Sequence, residues 1–193
     1  MQECLSYDDV LLLPRYSEIR SRSDIDIGSD LGNKLHLALP ILSSPMDTIS
    51  EQEMGNSMAT AGASAVIHRY NTVEEQARIV SAVKDHTKSD ISAKVGAAVG
   101  ITGDYLQRAR ILHALGVDFI CIDVAHGHHI LMKEALASIR KALGEDFHIM
   151  AGNVATLEGI NALADWGANS VRCNIGGGSI CSTRTQTGHG LPG

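Results

Sequence analysis

Short apolar runs recur along the chain, separated by amphipathic stretches: "LPILSS" (39–44), "SAVIH" (64–68), "AKVGAAVG" (93–100), "DFICIDVA" (118–125), "HIMAGNVA" (148–155) and "SVRCNI" (170–175). Runs this short and continuous predict strands buried on both faces, and the stretches between them predict the helices that cover those faces. The pattern contains six β/α units. Helix ends are marked as well. In "TAGAS" (60–64), "ALGVD" (114–118) and "DWGAN" (165–169) a glycine follows a helix-like segment and precedes an apolar run, where a left-handed residue stops a helix. Ser50 with Glu53, and Thr72 with Glu75, fit the capping box, and Thr102 and Thr156 are expected to cap the next helices of this kind.

Polar residues gather where these strands end. Ser43, Ser44 and Asp47, then His68 and Arg69, then Asp123 and His126, then Asn153, then the segment "GGGSICSTRTQTGHG" (176–190) all fall at predicted C-terminal ends. That is the ligand-binding face both of a (β/α)8 barrel and of a doubly wound sheet. A dinucleotide fold would place G-x-G-x-x-G after an early strand, whereas the first strand here ends in "SSPMDT". The expected fold is α/β, a (β/α)8 TIM barrel with about six of its eight units in this chain, so that residues 1–193 form the N-terminal part of a single barrel domain. A barrel lacking two units has two open sheet edges, so the chain is expected to be the first part of something longer.

Composition narrows the functional classes. With 193 residues, 44% of them hydrophobic, the chain can bury a sizeable core as one domain. A net charge of −6 without a Lys/Arg-rich block argues against a nucleic-acid or membrane-surface role, though local basic residues could hold a small anion. Neither a long apolar run nor a signal-like start is present, so a cytoplasmic protein is expected. The cysteines form no CxxC pair. Cys4, Cys121 and Cys173 lie in or near apolar runs and are expected to be small buried hydrophobes, with Cys181 the exception. The spacing of His126, His128 and His129 does not put all three on one helix face, which argues against zinc. "VEEQARIVSAVK" reads as an ordinary surface helix.

Taken together, "SYDDVLLLP", "PILSSPMDT", "IHRYNTVEEQA", "IDVAHGH", "IMAGNVAT" and "GGGSICSTRTQTGHGLP" resemble the IMP dehydrogenase/GMP reductase family, from about residue 5 to the last residue. The resemblance implies a (β/α)8 barrel and chemistry at C2 of a purine nucleotide. It implies Cys181 as the nucleophile, with Thr183 beside it assisting proton transfer or leaving-group handling. Ser44, Met46, Asn153, Arg172, Gly178 and Ser179 would form the nucleotide site, while Asp123 and Arg69 would hold NAD or NADP. Carbonyls of Gly176, Gly178 and Cys181 would match those that hold potassium in many family members, and a homo-oligomer, a tetramer, is expected.

The glycine-rich stretch fits this role. A thiol with an ordinary pKa of about 8.5 is mostly protonated at neutral pH, and glycine lets backbone groups turn toward it and the loop open and close. The chain departs from the family pattern where Cys173 and Asn174 replace the usual Val-Gly. "SSPMDT", "VEEQA" and "IDVAHGH" point to a dehydrogenase, which oxidises IMP to XMP with NAD. The short path from His68 to Lys94, without room for paired CBS modules, points to a reductase, which converts GMP to IMP and ammonia with NADPH. A binding-only relative is the remaining alternative.

Overall fold

The computed structural model describes residues 4–90 and 92–191. An arm with short 3-10 turns at Tyr7–Asp9 and Arg22–Asp24 leads to an antiparallel hairpin, β1 (Ser29–Asp30) and β2 (His36–Leu37). The β/α succession follows: β3 (Leu42–Ser43), α1 (Gln52–Thr60), β4 (Ser64–Ile67), α2 (Val73–His86), β5 (Lys94–Val99), α3 (Tyr105–Ala114), β6 (Phe119–Asp123), α4 (Ile130–Leu143), β7 (His148–Val154), α5 (Leu157–Asp165), β8 (Ser170–Cys173) and α6 (Thr183–Thr187). Strands β3 to β8 form one parallel sheet in sequential order, a partial (β/α)8 barrel. Among the described residues β3 pairs only with β4 and β8 only with β7, so both edges of the described sheet are open. None of the helices described is long and apolar enough to cross a membrane.

Two-residue alternation divides the buried side chains between two cores. Ile67, Val99, Ile120, Ile122 and Ile149 face the helices, where Val83, Leu112, Leu136 and Leu163 meet them. Val66, Ala98, Phe119, Cys121 and Met150 face the barrel interior, and Leu35 and Leu37 of the hairpin close that core from below. Gly96 makes the interior fit possible, because a Cβ there would lie 2.2 Å from the Phe119 ring. Near the end of β7 the register with β8 shifts between Gly152 and Val154, and this bulge returns Val154 to the helix-side core.

His148 fastens the hairpin. Its Nδ1 lies 3.0 Å from the Gly32 carbonyl, to which it donates, and its Nε2 lies 2.8 Å from Ser170 Oγ. Burial pushes its pKa below the ordinary 6.5, and the nearby Arg140 charge adds to this, while the Gly32 bond and Asp30 oppose it. The unfolded chain therefore binds the proton more readily than the fold does, and stability falls as pH drops through that ordinary value. Wild type is expected to lose more stability between about pH 7.5 and about pH 5.5 than His148→Gln, as read from urea midpoints. Equal losses in the two proteins would remove His148 from the account.

The glycine stops are as expected. Gly62, Gly116 and Gly167 take φ of 76°, 79° and 101° directly after α1, α3 and α5. Thr156 caps α5, its hydroxyl accepting from the Gly159 N–H at 3.1 Å, and Thr72 caps α2 by accepting from the Glu75 N–H at 3.2 Å. The Glu75 side chain does not complete the box, because its carboxylate binds Arg78 at 2.7 and 3.0 Å. Two cap expectations are corrected. The Ser50 hydroxyl is drawn to Ser43 Oγ and the Ser44 carbonyl, so Glu51 stands at the α1 N-cap. The left-handed Gly103 carries the chain past Thr102 before α3 begins, leaving Asp104 at that cap.

Of the three cysteines expected inside, Cys121 is fully buried, whereas Cys173 is exposed on the open edge strand β8 and Cys4 on the arm. Helix α2 is also less ordinary than its sequence reads. Its Gln76 is fully buried, and Nε2 donates to the carbonyls of Ile67 and Ala98 at 3.1 and 2.9 Å, tying the helix to β4 and β5.

Candidate functional site

The residues singled out at the predicted strand ends meet at one end of the sheet. Asp123 is the last residue of β6, and Arg172 projects from β8 onto the same interior face, where its Nη1 lies 2.5 Å from Asp123 Oδ1 and 3.8 Å from Cys121 Sγ. Gly152 permits this approach, since a Cβ there would lie 2.6 Å from the Arg172 Cβ. Burial disfavours the Arg172 charge, but Cys121 and Asp123 together outweigh it and its pKa is raised. The Asp123 and Arg172 side chains are 17% and 24% exposed. Asn153, at the β7 bulge, donates from Nδ2 to the Asn174 carbonyl at 2.9 Å, linking the end of β7 to the segment after β8.

That segment is a closed loop. An isolated bridge pairs Ile175 with Leu191, whose N–H donates to the Ile175 carbonyl at 3.0 Å, and α6 lies between. Gly176, at φ 80°, carries the chain away from β8, and the Arg184 stem folds over it, so that a Cβ at Gly176 would lie 2.4 Å from Arg184 Cγ. Cys181 is partly exposed, just before α6. Its Sγ lies 3.3 Å from Thr183 Oγ1. Hydrogen bonding from the Thr183 hydroxyl and backbone N–H holds the thiol below its ordinary pKa, and the Arg184 charge adds to this. Cys121 differs in kind, because complete burial pushes it up to about 11. Lowered pKa and access coincide at Cys181, the combination a nucleophilic thiol requires.

A cavity of about 400 Å3 lies beside Thr183, lined in part by His126, His128, Thr156, Thr187 and His189. The histidines have separate surroundings. His129 caps α4 by accepting from the Leu131 N–H at 3.1 Å, and the His128 ring lies 5.9 Å from Trp166. Ser44 and Met46 are exposed just past β3, in a turn anchored by Ser50. Arg69 follows β4, its guanidinium 5.2 Å over the Tyr70 ring, and its buried Nε has no hydrogen-bond partner. Gly178 and Ser179 occupy the exposed turn before Cys181, where the Gly178 carbonyl accepts from the Cys181 N–H at 3.0 Å.

Sequence reasoning missed Thr187, His189 and Arg184 as loop-shaping residues, and Glu51 as the partner of His68. His68 Nε2 lies 3.1 Å from Glu51 Oε1, while its Nδ1 accepts from the Tyr70 N–H at 3.1 Å. Only the position of His68 at a strand end hinted at this pair.

Comparisons with known proteins bear on the family and the fold. The family profile described as "IMP dehydrogenase / GMP reductase domain" matches residues 4–193. The chain is 32% identical to an inosine-5'-monophosphate dehydrogenase of Cryptosporidium parvum, over 97% of its own length and 55% of that protein. It is 33% identical to a GMP reductase of Paracidovorax citrulli, over 99% of its own length and 57% of that protein. The crystal structure of an inosine 5' monophosphate dehydrogenase from Legionella pneumophila superposes with a TM-score of 0.87 at 43% identity, covering 98% of this chain and 56% of that one. The chain thus spans little more than half the length of these three proteins.

Proposed function

The chain belongs to the IMP dehydrogenase / GMP reductase family, and we propose that it serves the dehydrogenase reaction, oxidising IMP to XMP through a covalent adduct on Cys181. The observation that carries this reading is the partly exposed thiol, 3.3 Å from the Thr183 hydroxyl and held below its ordinary pKa. The 43% identity to the Legionella dehydrogenase supports this direction, while the Cryptosporidium dehydrogenase and the Paracidovorax reductase, at 32% and 33%, are equally similar to the chain.

In this mechanism the Cys181 thiolate forms a bond to C2 of the purine. NAD, which Asp123 and Arg69 would hold, would supply the hydride acceptor for C2. Water then attacks C2, breaks the carbon–sulfur bond and returns the thiolate as XMP leaves. The Cys181 thiol donates to the Thr183 hydroxyl, and once the proton has left, that hydroxyl turns to donate to the thiolate, favouring the anion before attack and after release. Ser44, Met46, Asn153, Gly178 and Ser179 orient the nucleotide.

The residues present fit both absent groups. The ion pair occupies Asp123 Oδ1, leaving Oδ2 to accept from ribose hydroxyls, and the orphaned Arg69 Nε suits an anionic part of the dinucleotide. Arg172, which the resemblance places in the nucleotide site, acts here as a positioning residue through Asp123. The carbonyls of Gly176, Gly178 and Cys181 would hold potassium, whose contribution is to order the loop. The exposed apolar side chains of the arm, Leu11 and Leu12 at 98% and 97%, support assembly into a homo-oligomer.

Alkylation tests the assignment. Cys181 is expected to react with iodoacetamide faster than Cys4, Cys121 or Cys173, with a reactive form that persists to lower pH, and IMP is expected to slow it. Peptide mass spectrometry finding equal modification of all accessible thiols, without nucleotide protection, would overturn it. Following reduced nicotinamide with IMP plus NAD, and separately GMP plus NADPH, then distinguishes the two directions.

A further inference from the structure

We propose that the side-chain oxygen of Asn174 is an additional ligand of the monovalent cation in the Gly176–Cys181 loop, an inference that rests on the cation reading given above. Asn174 stands directly after β8 at φ 85°, a left-handed conformation uncommon for a residue with a side chain. Its backbone is held on both sides. The N–H donates to the Val154 carbonyl at 2.8 Å, and the carbonyl accepts from Asn153 Nδ2 at 2.9 Å. With the backbone pinned, the left-handed angles aim the carboxamide at the loop. It lies against Gly177, where a Cβ would come within 2.4 Å of Nδ2 and 3.3 Å of Oδ1, so a side chain at Gly177 would displace it.

Oδ1 is buried and has no hydrogen-bond partner. A buried amide oxygen left unpaired has lost its bonds to water and gained none in return. It is an acceptor only, so its missing partner is a donor or a cation. A neutral amide oxygen is chemically the same ligand as a backbone carbonyl, the group that replaces the hydration shell of potassium. The Gly178 carbonyl, already accepting from the Cys181 N–H, retains a second lone pair for the same ion. Glycine, the usual family residue at this position, would supply no such oxygen. The side chain thus offers the loop a ligand in exchange for a less comfortable backbone.

The test uses tryptic cleavage at Arg184, inside the loop, titrated with potassium chloride while choline chloride keeps the ionic strength constant. Potassium is expected to protect wild type more than sodium or lithium does. Asn174→Gly is expected to raise the half-protecting potassium concentration roughly fivefold, as the loss of one neutral oxygen contact implies. Glycine accepts the φ of this position, so the fold is not placed at risk. Asn174→Asp, which adds a charge to the same oxygen, is expected to lower that concentration. An unchanged midpoint in Asn174→Gly would overturn the role of Asn174 while leaving the loop a cation site. No response to potassium over choline in wild type or either variant would remove the cation site, and this inference with it.

Discussion

Gly96→Val is expected to cost about 3 kcal/mol or to prevent folding, because its new side chain would begin inside the ring of Phe119. Both residues are buried in the barrel interior, and β5 and β6 are paired so that Gly96 lies directly opposite Phe119. The ring has nowhere to retreat, since Val66, Ala98, Cys121 and Met150 share its core and Leu35 and Leu37 seal it from below. Phe119→Ala, the complementary change, leaves a cavity and is expected to cost about 3–5 kcal/mol. The two should not add. The valine would enter the space left by the ring, so the double variant is expected to be more stable than the sum of the single losses by at least about 1 kcal/mol. Urea denaturation of the four proteins measures this, and strict additivity would mean that the contact does not govern the packing.

Arg172→Ala is expected to cost about 2 kcal/mol, less than the roughly 3–5 kcal/mol of a fully buried pair, because both partners keep some contact with water. The loss comes from what remains. The Asp123 carboxylate would stay largely covered at the end of β6 without its cation. Removing that charge in the same background, as Asp123→Asn with Arg172→Ala, is expected to recover part of the loss. Arg172→Lys is expected to be intermediate, because its ammonium keeps the charge but ends one bond short of Nη1, the atom that reaches both Asp123 and Cys121. A double variant no more stable than Arg172→Ala would show that lost packing of the arginine stem, and not an unpaired carboxylate, sets the cost.

What could be read from the sequence followed from how far each feature reaches along the chain. Strands and helices declared themselves because burial on both faces writes a continuous apolar run, and the stops at Gly62, Gly116 and Gly167 are local events. The strand-end residues were visible for the same reason, since parallel order sends every C-terminal end to one face. The β1–β2 hairpin left no comparable mark. Its strands are two residues each, and what makes Leu35 and Leu37 core residues is a barrel interior built by segments far downstream. Gln76 was hidden because a polar residue on a helix reads as solvated until the carbonyls of Ile67 and Ala98 are brought beneath it. Cys173 was misread because an apolar run does not reveal that its strand, β8, lies at an edge of the described sheet. Asn174 was noticed as a departure, but its left-handed angle and orphaned oxygen became visible only in three dimensions.

The bond between Gly32 and His148 joins residues 116 positions apart, and this imposes an order on biogenesis. During synthesis the hairpin emerges before β7, so its anchor does not yet exist. At ordinary translation speeds roughly ten seconds separate the two. Over that interval Leu35 and Leu37 have no barrel floor to occupy, and a nascent chain in this state presents the greasy underside of its plug to any holdase nearby. The hairpin is made early and seated late, so the floor of the barrel closes only after most of the wall has been made.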